Sequence, residues 1–302
     1  MPVADLRTWL ERSFIWRVWE RMLEIEFIDR SVALAGKAFV SFFPLVIVVA
    51  AFMPDSVQES MVRSVTVRLG LDGPALTTVR ESFASSGDVR EATGVLGLVM
   101  TIFFASSFTT ALQRVYFHTW RRPRKGGIGV YWRSVVCLLA VLVAMAILGA
   151  VGRAVTGTAA VGLLIVIALA VTSALWVFSA WLLLLGDVRA RVLIPTGVIT
   201  AVATSLYAGS ARIWMPGVVE SNEAQFGVFG VALALITWFS GAAICVLIGA
   251  TAGVVLAEDP GRIGEIVRGA EARTLVDRAA APLPSPTHDF SLRDAFQSTD
   301  DT

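Results

Sequence analysis

Residues 161–185 read VGLLIVIALAVTSALWVFSAWLLLL, twenty-five positions without a single Asp, Glu, Lys or Arg. At about 1.5 Å of rise per residue such a run makes a helix about 38 Å long, more than the ~30 Å hydrocarbon core of a bilayer. A helix also satisfies its backbone polar groups within the segment, which lipid demands and water does not. Five more apolar runs flank it, at 31–53, 93–113, 134–152, 193–211 and 226–256, and the one at 193–211 is rich in Thr, Ser and Gly. The whole chain of 302 residues is 56% hydrophobic and 16% charged, against about 45–50% and about 25% for a soluble globular domain. The expected fold class is all-α, a polytopic membrane bundle of about six transmembrane helices with amphipathic interfacial helices beside them.

Residues 1–30 are expected to form a cytoplasmic amphipathic segment. Trp16, Trp19, Leu23 and Phe27 recur on one helical face, with Arg17, Arg21 and Glu24 elsewhere, so that face is expected along the membrane surface. Charges every few positions leave no uninterrupted apolar core for a cleavable signal peptide there. The spans fill 31–257. Between the first two, about 55–90, Val57, Met61, Val65 and Leu69 mix with Arg63 and Arg68 before a break at Asp72-Gly73-Pro74, the pattern of an extracytoplasmic helical hairpin. Residues 258–302 begin as a short charged helix and turn, after Ala281, into a Pro-, Ser-, Thr- and Asp-rich tail with little to bury, which predicts disorder.

Orientation follows from where Lys and Arg fall. The N-terminal segment, the loop after the second span, the loop after the fourth and the tail hold 18 of them outside the spans, and the opposite loops hold six. Cytoplasmic loops carry the excess, so both termini are expected in the cytoplasm, which needs an even number of passes. Trp120 and Trp132 bracket the most basic loop, as interfacial aromatics do. The expected location is the bacterial cytoplasmic membrane.

Lys37 is the only Lys, Arg, Asp or Glu inside the six runs. A charge central in a bilayer costs at least ~2.5 kcal/mol on an insertion scale. Either its long stem snorkels to the cytoplasmic headgroups, or it lines a cavity and holds an anion, since no span offers an acidic partner. Pro44 in the first run and Pro195 at the start of the fifth bend their helices or free backbone carbonyls. Ser41 lies one turn beyond Lys37. In the second run Ser106, Ser107, Thr109, Thr110 and Gln113 lead to Arg114, hydroxyls and amide that either bond neighbouring helices or line a wet path. Gly241, Cys245, Gly249 and Gly253 recur every fourth residue in the last run, a stripe that admits close approach of an internal helix or of a second copy in a homo-oligomer. Arg121, Arg122, Arg124 and Lys125 form a basic cluster, topogenic or attracted to lipid headgroups at about 1 kcal/mol per residue. Arg212, Glu220, Asn222 and Glu223 crowd what reads as a short loop beside Met215-Pro216-Gly217, with a helix start at Ser221.

Soluble chemistry finds few residues to work with. His118 and His288 are the only histidines, and no nucleophile stands beside a base. No phosphate-binding Gly-Lys-Ser/Thr loop, zinc spacing or serine elbow occurs. Cys137 and Cys245 each lie in an apolar run as small packing residues. No catalytic residue, metal site or cofactor is expected, a net charge of +1 gives no pull toward nucleic acid, and the missing motifs argue against transport driven by ATP through this chain alone. Coupling to protons or sodium, which usually needs Asp or Glu in the spans, is disfavoured.

Ala33-Leu-Ala and Ser41-Phe-Phe-Pro44-Leu in the first run, Ala111-Leu-Gln113-Arg114-Val-Tyr116 ending the second, and Phe226-Gly-Val-Phe-Gly230 entering the last together resemble the BrkB/YihY family of inner-membrane proteins over about residues 15–258. The resemblance implies a six-span bundle and a role in export or translocation of lipids or other envelope molecules, and it names no catalytic residues. Members commonly carry aromatic residues where Gly36 and Lys37 stand here. The ribonuclease label attached to many members has no support in the residues. The leading expectation is a membrane transporter or lipid translocator whose site includes Lys37, Ser41, Pro44, Ser107, Gln113 and Arg114, with membrane lipids or an anionic headgroup as partner. The alternative is a non-transporting scaffold that recruits partners through its cytoplasmic segments.

Overall fold

The computed structural model describes residues 13–52, 87–123, 129–154 and 160–268. The hairpin expected between the first two spans therefore lies almost wholly outside the described residues, as do Arg124, Lys125 and the tail from 269. All regular structure in the described residues is helical, in the order α1 (Phe14–Glu24), α2 (Phe27–Phe52), α3 (Gly87–Thr119), α4 (Gly129–Ala154), α5 (Ala160–Leu183), α6 (Ala190–Phe226), α7 (Val228–Glu258) and α8 (Arg262–Arg268).

Four of these, α4 to α7, are long and apolar enough to cross a membrane. The two remaining apolar runs lie inside α2 and α3, of 26 and 33 residues, lengths of about 39 and 50 Å at the usual rise. What marks lipid as the solvent is where the apolar side chains point. None of the apolar window of α5 is buried, and only 6% of that of α4. Leu139, Val143 and Ile147 on α4, with Val161, Leu163, Ile165 and Val166 on α5, face outward. In water that continuous oily belt would far exceed the patches monomeric proteins tolerate.

The packed centre is formed mainly by α7. Leu247, Ala250, Val254 and Ala257 of α7 are fully buried beside Leu34 and Ala35 of α2, Val115 and Tyr116 of α3, Leu183 at the end of α5 and Val192 and Leu193 of α6. The tightest seam joins α6 and α7, antiparallel neighbours. Gly253 lies against Thr196, Gly249 against Thr200 and Gly241 against Tyr207, a register in which each step up one helix is a step down the other. The close neighbour of the small-residue stripe is thus internal. Cys245, on the same helix, is half-buried and free.

The loop expected around residues 212–225 is instead helix. α6 runs unbroken through Pro195 and Pro216 to Phe226, and the chain reverses at Gly227 (φ 57°). Proline costs a helix one hydrogen bond and some crowding. Here the residues flanking it, Ala211, Met215 and Val219, are buried against Ala234 and Leu235 of α7. Burial on that face outweighs the local break, so Met215-Pro216-Gly217 does not end the helix. Asn222 caps nothing; its amide donates to the Val218 carbonyl at 2.7 Å.

Candidate functional site

Lys37 lies ten residues into α2, about 15 Å along the axis, because the helix starts at Phe27 rather than near 31. It is half-buried. The Ser41 hydroxyl donates to its carbonyl at 2.7 Å, and Pro44, buried, follows on the same face at i+7. Arg114 is exposed on α3, sharing a face with Ser107 two turns earlier. α2 packs against α3, and Arg114 is the neighbouring charge that acts on Lys37. No carboxylate pairs with either among the described residues.

Gln113, next to Arg114 in sequence, is one hundred degrees round the helix and belongs to packing. Its amide donates to the Leu183 carbonyl at 2.9 Å in a buried contact. Leu183 ends α5, so its carbonyl is one of those a helix terminus leaves without an intrahelical partner. Gln113→Leu is expected to destabilise the folded protein by about 1–3 kcal/mol, the cost of orphaning a buried acceptor; a thermal unfolding temperature in detergent equal to that of the parent would contradict this.

Between α2, α3, α4 and α5, closed at one side by Phe239 of α7, lies a cavity of about 260 Å³. Ser41 reaches its wall, but the other hydroxyls there, Thr101, Thr109, Ser134 and Ser179, with Cys137, were not singled out in sequence apart from Thr109 and Cys137. The signal was present as isolated small polar residues in otherwise apolar runs, yet nothing in one chain tells which of them face one another. Phe42, Phe108 and Trp176 supply much of the remaining wall, and among the described residues no charged side chain lines it.

One end of the bundle is tied by ion pairs. Arg17 of α1 bonds Asp259 at 2.6 Å. Arg21 bridges Glu24 at 3.2 Å and Glu258 at the end of α7, and Arg121 bonds Glu24 at 2.7 Å. Arg268 of α8 donates to the carbonyls of Ala257 and Asp259 at 2.7 and 2.6 Å, satisfying acceptors at the α7 terminus. Arg121 therefore has a protein partner besides any headgroup. It also takes the left-handed conformation (φ 47°) that closes α3, with Arg121 N–H bonded to the His118 carbonyl and Arg122 N–H to that of Phe117, a Schellman closure usually given to glycine. Its ion pair offsets that strain. On the far side of α1, Ile15, Trp16, Trp19 and Leu23 are exposed, and the Trp16 indole donates to Glu20 at 2.7 Å. The sequence separation of 237 residues between Arg21 and Glu258 is why the network could not be read beforehand.

No curated protein and no solved structure matches the chain. The family model described as virulence factor BrkB matches residues 18–270, a stretch that takes in most of α1, all of α2 to α8 and thus both the cation pair and the cavity. An all-helical bundle with an outward oily belt is what that family's membrane character requires, and the chain belongs to the BrkB virulence factor family.

Proposed function

We propose that this membrane protein is a translocator of lipids or other envelope molecules with an anionic group, and neither an enzyme nor an ATP-driven pump by itself. It sits in the bacterial cytoplasmic membrane with six passes and both termini in the cytoplasm. That orientation is supported by the 18-to-six bias of basic residues. It puts the ion-paired end of the bundle at the inner headgroups, with Arg114 five residues from the end of α3 and Lys37 deeper, ten residues into α2.

The observation that carries the reading is that Lys37 and Arg114 stand on packed neighbouring helices without an acidic partner among the described residues. Two like charges on adjacent helices repel, and the penalty for holding a cation at membrane depth is several kcal/mol on most scales. A phosphate or carboxylate between them relieves both costs. The recruiting-scaffold reading is weaker, because the polar side of α1 is already engaged by Glu258, Asp259 and Arg121.

The test is transbilayer movement of fluorescent phosphatidylglycerol in proteoliposomes, read by quencher accessibility. The parent protein is expected to speed movement above protein-free vesicles, and Lys37→Ala and Arg114→Ala to lower the added rate about tenfold each, the effect of about 1.4 kcal/mol lost in recognition. Parent-level rates in both variants would remove the pair from the mechanism.

A further inference from the structure

The loop that joins α5 to α6 stands over another hollow, on the lipid-facing side of the bundle. Ala174, Phe178 and Trp181 of α5 with Ala190, Ile194 and Val198 of α6 line an open groove of about 430 Å³. Its floor is where the two helices touch: Gly197 lies against Ser173 and Val177, and a Cβ on it would stand 2.9 Å from the Ser173 carbonyl oxygen. Phe178, Trp181, Ile194 and Val198 are exposed along the rims, so the groove opens onto the medium that surrounds the oily belt.

One end of the groove is basic. The chain reverses between Leu183 and Ala190, where the Gly186 N–H donates to the Trp181 carbonyl at 3.1 Å. Arg189 and Arg191, on either side of Ala190, are exposed, and Arg191 shares a face with Ile194 and Val198, three and seven residues on. Its guanidinium donates to the Ile266 carbonyl of α8 at 3.0 Å, which uses one of five N–H donors. No carboxylate pairs with Arg191 among the described residues, and the loop sets one carboxylate, Asp187, against the two arginines. α8 is tied to the α7 terminus through Arg268, so this mouth lies at the ion-paired end of the bundle.

Depth and charge select the occupant. From Ala190 to Val198 the groove runs about 12 Å at the helical rise, which fits one leaflet of a ~30 Å hydrocarbon core and not both. A helix from a second copy would need a seam across the whole bilayer, whereas an acyl chain needs only the one leaflet. A chain laid along Phe178 and Trp181 brings its headgroup to the level of Arg189 and Arg191, and tryptophan is a side chain that favours that level. An anionic phosphate there meets the planar guanidinium fork; a zwitterionic headgroup brings a cation of its own, which offsets the gain.

We infer that the groove between α5 and α6 binds one anionic phospholipid of the leaflet at the ion-paired end, its acyl chain between the helices and its phosphate at Arg191 and Arg189. The inference requires the bundle to be embedded in a membrane and does not depend on transport.

The full-length protein is placed in phosphatidylcholine nanodiscs with a trace of phosphatidylglycerol bearing a diazirine in one acyl chain, or of phosphatidylcholine bearing the same chain, and the cross-linked positions are mapped by peptide mass. Phosphatidylglycerol is expected to label the stretches 173–181 and 190–198 at least tenfold more than the phosphatidylcholine probe, while the two label Val143 and Ile147 of α4 equally. Arg191→Ala should cut the groove label from phosphatidylglycerol about fivefold, the effect of about 1 kcal/mol per basic residue near the headgroups, and Arg191→Lys should keep most of it. Ala174→Trp, which fills the groove from its exposed wall, should lower groove label from both probes while label on α4 stays constant. Lys37→Ala and Arg114→Ala should leave groove label unchanged, so that loss of transport and loss of the bound lipid are told apart. Equal groove labelling by the two probes, or a phosphatidylglycerol excess that survives in the Arg189→Ala, Arg191→Ala double variant, would overturn the inference. Groove stretches that neither probe labels would overturn it as well, and a dimeric mass by native mass spectrometry would then give the groove to a second copy.

Discussion

Gly249→Ala and Gly253→Ala are each expected to destabilise the protein, against the sign that helix propensity predicts. In an open helix the change from glycine to alanine gains up to about 1 kcal/mol. Here a Cβ on Gly249 would stand 2.6 Å from the Thr200 Cα, and one on Gly253 2.5 Å from the Thr196 Cα. These are backbone-borne atoms of a packed helix, which cannot rotate aside as a side-chain tip could. Without a hydrophobic drive between helices in lipid, association depends on such close packing. Overpacking of this kind costs about 1–3 kcal/mol per site, and since the two glycines are neighbours on one seam their effects need not add. At about 2–4 °C per kcal/mol, the double variant should lose on the order of 10 °C of unfolding temperature, measured by fluorescence in detergent. Gly209→Ala on α6, where a Cβ meets nothing within 4 Å, serves as control and should be neutral or stabilising. Equal behaviour of all three sites would mean that α6 and α7 are not in this register.

Arg21→Ala is the second large effect. Arg21 is 7% exposed and its guanidinium serves two carboxylates, Glu24 on its own helix and Glu258 at the end of α7. Removing it leaves Glu258 partly buried without its closest counter-charge, and breaking one side of a buried pair costs about 3–5 kcal/mol. Arg21→Lys should recover only part of this, because an ammonium lacks the planar fork that reaches both partners. Arg17→Ala, whose pair with Asp259 is 32% and 22% exposed, should cost under about 1 kcal/mol. Hydrogen exchange localises the effect: residues 14–24 should exchange faster in Arg21→Ala while the α6–α7 seam keeps its protection. Uniform loss of protection would show that Arg21 supports the whole bundle rather than the attachment of α1.

The membrane-helix character was legible because it rests on local composition. Runs such as 161–185 have one physical outcome in a cell, and their helices follow. The amphipathic α1 was legible for a similar reason, with Ser13 accepting from the Trp16 N–H at 3.2 Å to start it. Met215-Pro216-Gly217 misled, since the local cost of proline and glycine was visible and the compensating burial of Met215 and Val219 against α7 was not. The stripe from Gly241 to Gly253 announced close packing but not its partner, which needs the register with Thr196 and Thr200. At the site, the isolation of Lys37 could be read directly, whereas the packing of α2 beside the helix that bears Arg114 and the turning away of Gln113 toward Leu183 depend on tertiary structure.

Sidedness decides whether Lys37 and Arg114 can meet a headgroup from the cytoplasmic leaflet. In a Cys137→Ala, Cys245→Ala background, single cysteines at Pro123, at the ion-paired end, and at Glu223, at the α6–α7 turn, can be tested with a membrane-impermeant maleimide on cells with the outer barrier opened and the inner membrane intact. Glu223→Cys should react at once and Pro123→Cys only after the inner membrane is permeabilised. Reaction of Pro123→Cys in intact cells, or protection of both positions, would contradict a bundle whose basic, ion-paired end faces the cytoplasm.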